Sequence, residues 1–105
     1  MTHLLFGGCP LLNTAIECDD THPELREQAL RVMNQFLSTI QEIILHGIQS
    51  GELRSDFEVV SLSSLILSTL EGAVMASMLA RDNSHIAHCK EHLYRYLLSY
   101  QTERA

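Results

Sequence analysis

Apolar positions along this chain recur every three or four residues, and the alternation in twos that marks a strand is absent throughout. Turn-forming residues at Gly7-Gly8, Asp19-Asp20-Thr21, Gly51, Ser55-Asp56 and Asp82-Asn83-Ser84 separate four segments. In the first, Leu11, Leu12, Ala15 and Ile16 lie on one side and Asn13, Thr14 and Glu17 on the other. That spacing predicts a short helix from Pro10 to about Glu17, with Pro10 in its first turn. In the second, Leu25, Ala29, Val32, Met33, Phe36, Ile40, Ile43, Ile44, Gly47 and Ile48 follow the 3.6-residue period and predict a helix from about His22 to Ser50. Asp20 or Thr21 is placed to cap it, Pro23 and Glu24 suit its first turn, and Gly51 suits the position just past its end. At 1.5 Å per residue this helix is about 43 Å long.

The third segment, about Phe57 to Arg81 with Asp56 or Ser55 as cap, carries apolar residues around most of its circumference, which is the pattern of a buried helix. Its small residues Ser68, Gly72, Ala73, Ala76 and Ser77 leave room for another helix to come close. The fourth, about Ser84 to Tyr100, places Ile86, Cys89, Leu93, Tyr96, Leu97 and Tyr100 at helical spacing. The chain is therefore expected to be all-α, a bundle of one short and three longer helices. A small bundle cannot cover the third helix on every side. The last two helices are accordingly expected to pair with those of a second chain as a four-helix interface. Leu62, Leu65, Ile66, Thr69, Leu70, Ala73, Val74 and Ser77 are its expected residues on the third helix. Cys89, Leu93, Tyr96 and Leu97 are those on the fourth.

Composition narrows the function. The 105 residues make one domain with a net charge of −6, and the seven Lys and Arg are scattered. A phosphate-binding surface needs them clustered, so direct nucleic-acid contact is not expected. Three cysteines (Cys9, Cys18, Cys89) have no paired spacing and suit reduced thiols in the cytoplasm. Leu5-Phe6-Gly7-Gly8-Cys9 has the flavour of a lipoprotein cleavage site but lacks a basic flank and a long apolar core. The apolar window around Val59–Leu79 is broken by five serines, Thr69 and Glu71, which fits a buried interface helix and not a membrane span.

Four side chains, His85, His88, Cys89 and His92, share one face of the fourth helix and are good zinc ligands by type. One straight helix cannot close all four on a tetrahedral ion, so no metal is expected. Glu17, Asp19, Asp20 and His22 form an acidic cluster that helix capping accounts for. Glu71 interrupts the most apolar helix, where an ionised carboxylate needs a partner or water. It faces the solvent or an arginine at the dimer edge, or it anchors a ligand in an apolar cavity. With no nucleophile elbow, H-E-x-x-H or C-x-x-C, nothing marks an enzyme, and no cofactor is expected.

The run Gly8-Cys9-Pro10-Leu11-Leu12-Asn13-Thr14-Ala15-Ile16-Glu17, followed by Asp19-Asp20-Thr21-His22-Pro23, resembles the effector-binding region of TetR-family transcriptional regulators. So do Gly47-Ile48-Gln49-Ser50-Gly51-Glu52-Leu53-Arg54 and the helix bearing Leu70-Glu71-Gly72. The resemblance runs from about Gly8 to the end, with 1–7 as a remnant and 8–105 as an incomplete C-terminal domain. It implies a dimer that holds a small molecule, while an N-terminal helix-turn-helix domain binds operator DNA. Asn13, Glu17, Met33, Phe36 and Glu71 are the residues it implies for the effector pocket. The chain as given lacks the recognition helix, so it is not expected to bind DNA by itself. Three origins stay open: a domain of a longer regulator, a truncated protein that heterodimerises with a full-length relative, or a stand-alone dimer binding a small apolar ligand. The residues do not name the effector.

Overall fold

A computed structural model describes residues 22–103. The expected helix over Pro10–Glu17, the caps Asp20 and Thr21, and the pocket candidates Asn13 and Glu17 lie outside them. The described chain is helical: α1 spans Pro23–Gln49, α2 Val59–Ala80 and α3 Ser84–Leu98. Extended pairing among the described residues amounts to an isolated antiparallel bridge between Leu53 and Gln101.

The long helix forms within one residue of each expected end. Pro23 sits in its first turn, where the missing N–H is no loss, and Glu24 faces the positive end of the dipole. His22 flanks it without a side-chain capping bond. At the far end the chain reverses through Gly51, whose φ of +83° places it in the left-handed region. The Gly51 and Glu52 amides donate to the carbonyls of Ile48 (3.0 Å) and Gly47 (2.9 Å), which completes a Schellman motif.

The start of α2 differs from expectation. The helix begins at Val59 and not Phe57, and its flanking residue Glu58 makes no side-chain cap. Ser55 and Asp56 are not used as caps because the segment before the helix is committed elsewhere. Asp56 pairs with Arg54 at 3.4 Å, and the Phe57 ring packs edge-on against Tyr100, centroids 4.5 Å apart. At the other end α2 stops at Arg81, left-handed at φ 56° and ψ 42°. The fourth segment also ends earlier than expected, at Leu98 and not Tyr100, because the Tyr100 carbonyl accepts the Arg54 amide at 2.8 Å.

The three helices make a flat layer. α2 packs against both α1 and α3, and the principal extents are 55 × 31 × 15 Å. The radius of gyration, 16.2 Å, exceeds the roughly 13 Å of a compact chain this size. Ile44 of α1 and Leu62 and Ile66 of α2 form the buried centre. Ile40, Ile48, Leu53, Phe57, Val59, Leu93, Leu97 and Tyr100 close around it. Burying each central side chain contributes about 1.5–3 kcal/mol. The core thus lies where the end of α1, the start of α2 and the end of α3 converge.

Candidate functional site

Among the described residues the layer leaves one side of α2 uncovered. Leu62, Ser63, Ile66 and Ser77 point inward and are buried. On the opposite side, at spacings of three and four, run Ser61, Ser64, Ser68, Gly72, Met75 and Leu79, all exposed, with Leu65 beside them. Leu79 is 79 % exposed and Leu65 45 %. A Cβ built on Gly72 would meet nothing within 4 Å among the described residues. A glycine in the middle of a helix is destabilising by roughly 0.5–1 kcal/mol relative to alanine, and no contact among the described residues requires one here. By length and composition α2 could also cross a membrane, with a mean hydropathy of 1.7. Glu71 and its five serines and Thr69 set it apart from a uniformly apolar span.

This geometry sorts the residues expected at a dimer interface. Leu62, Ile66 and Ser77 are taken up within the chain: the first two form the core, and Ser77 holds α3. Thr69, Ala73, Val74, Cys89, Leu93 and Leu97 are half-buried, and their inner contacts include the Cys89 thiol on the Thr69 carbonyl at 3.7 Å. Leu65, Leu70 and Tyr96 remain exposed. The free surface is therefore shifted around α2 from the expected set, toward Ser64, Ser68, Gly72, Met75 and Leu79. The expected set followed the apolar residues. The structure turns Leu62, Ser63, Ile66 and Ser77 inward and leaves a stripe of mixed small and large residues outside.

The turn between α2 and α3 is built from polar contacts. The Ile86 amide, in the first turn of α3, donates to the Ser77 hydroxyl at 3.0 Å. The Ser84 amide donates to Asp82 Oδ1 at 2.6 Å. Together they satisfy donors that a helix start leaves open, one from the preceding helix and one from the turn. Those Ser84 bonds, helped by the nearby charges of His85 and His88, hold the Asp82 carboxyl below its ordinary value of 3.8.

On α1, Met33 is half-buried and Phe36 is 48 % exposed. Phe36 belongs to a second apolar stripe with Leu25, Val32 and Ile43, all exposed, beside the stripe that enters the core. Glu71 is half-buried on α2, in the row Leu67, Glu71, Val74, Met78. The pocket candidates that are described therefore fall on two neighbouring helices, with apolar surface around them. His85, His88 and His92 are exposed along α3. Among the described residues no three His, Cys, Asp or Glu side chains come together in a group fit to hold a metal ion.

A further arrangement joins the α1–α2 turn to the end of the chain. The Thr102 amide donates to the Glu52 carbonyl at 3.0 Å, and its hydroxyl donates to the Gly51 carbonyl at 2.7 Å. The Arg54 guanidinium lies 5.4 Å from the centre of the Tyr100 ring, and the Tyr96 and Tyr100 hydroxyls are 2.9 Å apart. That bond raises the Tyr100 phenol above its ordinary value of 10.0. Leu53 lies against Gly47, where a Cβ would come within 2.7 Å of its Cδ1. The Gly47–Arg54 motif thus has a physical reading. Gly47 makes room for Leu53, Gly51 turns the chain, and Arg54 meets Tyr100. The contact with residues 100–102 is not signalled by local spacing in the sequence.

Comparison with known proteins places these features in a context. A family model described as the tetracyclin repressor-like C-terminal domain matches residues 1–93. The chain is 24% identical over 75 residues to the HTH-type transcriptional repressor DhaR of Mycobacterium sp. (strain GP1), covering 71% of this chain and 38% of that protein. A TetR transcriptional regulator from Chloroflexus aurantiacus J-10-FL superposes with a TM-score of 0.84 at 39% identity, over 90% of this chain and 48% of its own. A TetR-family regulator from Cytophaga hutchinsonii does so with a TM-score of 0.86 at 31% identity, over 92% of this chain and 48% of its own. The chain spans half or less of the length of these relatives.

Proposed function

The chain belongs to the tetracyclin repressor-like C-terminal domain family, and from that premise we propose that it is the dimerisation and effector-binding module of a cytoplasmic TetR-type transcriptional regulator. It acts in regulation and not as an enzyme. It makes no DNA contact of its own, consistent with its net charge of −6 and scattered basic residues. DNA binding belongs to an N-terminal domain of the kind that the relatives' names imply.

The observation that carries this reading is the outward stripe of α2, small in the middle at Ser64, Ser68 and Gly72 and apolar at Leu65, Met75 and Leu79. A second α2 fits against such a stripe at close range, with α3 flanking it on each side to make four helices. The effector lies against α1, where Met33 and Phe36 offer apolar contacts and Glu71 of α2 a polar one. A ligand in that position acts by preferring one arrangement of the helices over another.

Light scattering over a concentration series tests the dimer. A stable monomer at micromolar protein would overturn it. Gly72→Ala sharpens the test, because the two effects of the added methyl oppose each other. It stabilises α2 within one chain by roughly 0.5–1 kcal/mol, yet it holds two α2 helices apart, so the dimer dissociates at higher protein concentration. A thermal-shift screen against apolar and aromatic metabolites tests the effector site, with Phe36→Ala expected to abolish any shift found.

A further inference from the structure

We propose that Tyr100–Thr102 is a latch that makes the Gly51 turn the fixed end of α1, leaving its exposed first turns, His22 to Val32, as the end that moves. The two ends of α1 are held very differently. Its core residues, Ile40, Ile44 and Ile48, all lie in the last ten positions. Beyond them the turn is tied to the C-terminal segment by the Arg54–Tyr100 and Thr102–Glu52 backbone bonds and by the Thr102 hydroxyl on Gly51. Phe57 and Arg54 then enclose the Tyr100 ring. From His22 to Val32, by contrast, every residue except Ala29 is exposed.

A rod held at one end amplifies small rotations. With about 1.5 Å of rise per residue, a tilt of about 5° at the turn displaces Pro23 by roughly 3 Å. Thr102 and Tyr100 touch no part of the moving end. They act on it by fixing the pivot, so their role is positional. What the motion serves rests on the effector reading above; the latch itself does not.

Hydrogen exchange on the whole chain and on Thr102→Val, Tyr100→Ala and Tyr100→Phe tests the latch, without any ligand. Loss of the latch is expected to speed exchange of the amides from Ile40 to Arg54 by about tenfold or more, while amides around Ser77 and Ile86 change less than about twofold. Tyr100→Phe keeps the ring between Phe57 and Arg54 and is expected to behave as the parent. Unchanged exchange in α1 of both Thr102→Val and Tyr100→Ala overturns the proposal. So does equal acceleration of all three helices, which marks a general loss of stability. No effector or dimer enters this readout, so a failed ligand screen or a monomeric chain leaves the latch standing or falling on exchange alone.

Discussion

The two turns of this layer solve the same problem with different residues. Both helices end in the Schellman arrangement, with paired bonds from the next two amides back to carbonyls of the last turn. After α1 the left-handed position is Gly51, and after α2 it is Arg81. Glycine adopts that conformation freely, whereas an L-residue with a side chain loses about 1–2 kcal/mol there. The α1–α2 turn is a nine-residue connection that needs outside support, from the C-terminal segment. The α2–α3 turn is a three-residue connection supported from within, by Ser77 and Asp82. The strain at Arg81 is tolerated because the contacts on both sides of it determine the path of the chain. The longer connection relies on a glycine and on distant chain, whereas the shorter one trades the glycine for contacts with its own flanking residues.

Four substitutions test that trade. Ser77→Ala has the largest expected effect, because it leaves the part-buried Ile86 amide without its acceptor. A loss of about 1–3 kcal/mol in urea unfolding is expected, and a loss below about 0.5 kcal/mol would mean that the short turn does not depend on Ser77. Gly51→Ala comes next, with about 1 kcal/mol lost because alanine is forced to a positive φ. Arg81→Gly is expected to act in the opposite direction, raising stability by about 0.5–1 kcal/mol, the relief of strain less the added freedom of the unfolded chain. If it destabilises instead, the arginine side chain contributes more than its backbone loses.

The smallest effect is the acid response of Asp82. Its carboxyl titrates below the ordinary value in the folded chain, so its stabilising contribution is complete above about pH 3.8 and fades as the pH falls through the lowered value. The melting-temperature difference between the parent and Asp82→Ala should be flat from about pH 7 to 5 and shrink below about pH 4. A difference that persists unchanged in strong acid would assign the role of Asp82 to something other than its charge.

Much of the architecture was readable from spacing. The stripe from Leu25 to Ile48 located α1 to within a residue at each end, and Gly51 was identifiable as the residue after it because few positions suit a glycine so well. The boundaries that were misplaced share one cause. Phe57 and Tyr100 fit the helical pattern of their neighbours, yet each leaves the helix to meet the other across some forty positions of sequence. Local periodicity carries no information about such a pair. The stop at Arg81 was legible from the turn residues Asp82-Asn83-Ser84 that follow it, but its left-handed backbone was not, since nothing about an arginine announces one. On α2 the apolar pattern is nearly continuous, so it signalled a much-covered helix without saying which side its neighbours within the chain would take. That is why Leu62, Ile66 and Ser77 were expected at a partner's surface and are found facing inward.

The flat layer also bears on how the chain reaches its folded state. Each helix lies beside the one that follows it, so the main packing pairs neighbours joined by short connections, and helices arranged this way fold in microseconds to milliseconds. Closing Thr102 onto Gly51, fifty-one positions away, is the exception. Tyr100 sits at that closure and the chain contains no tryptophan. With Tyr94 and Tyr96 each replaced by Phe, tyrosine fluorescence in a rapid-mixing experiment reports from Tyr100 alone whether this long-range closure forms with the helices or after them.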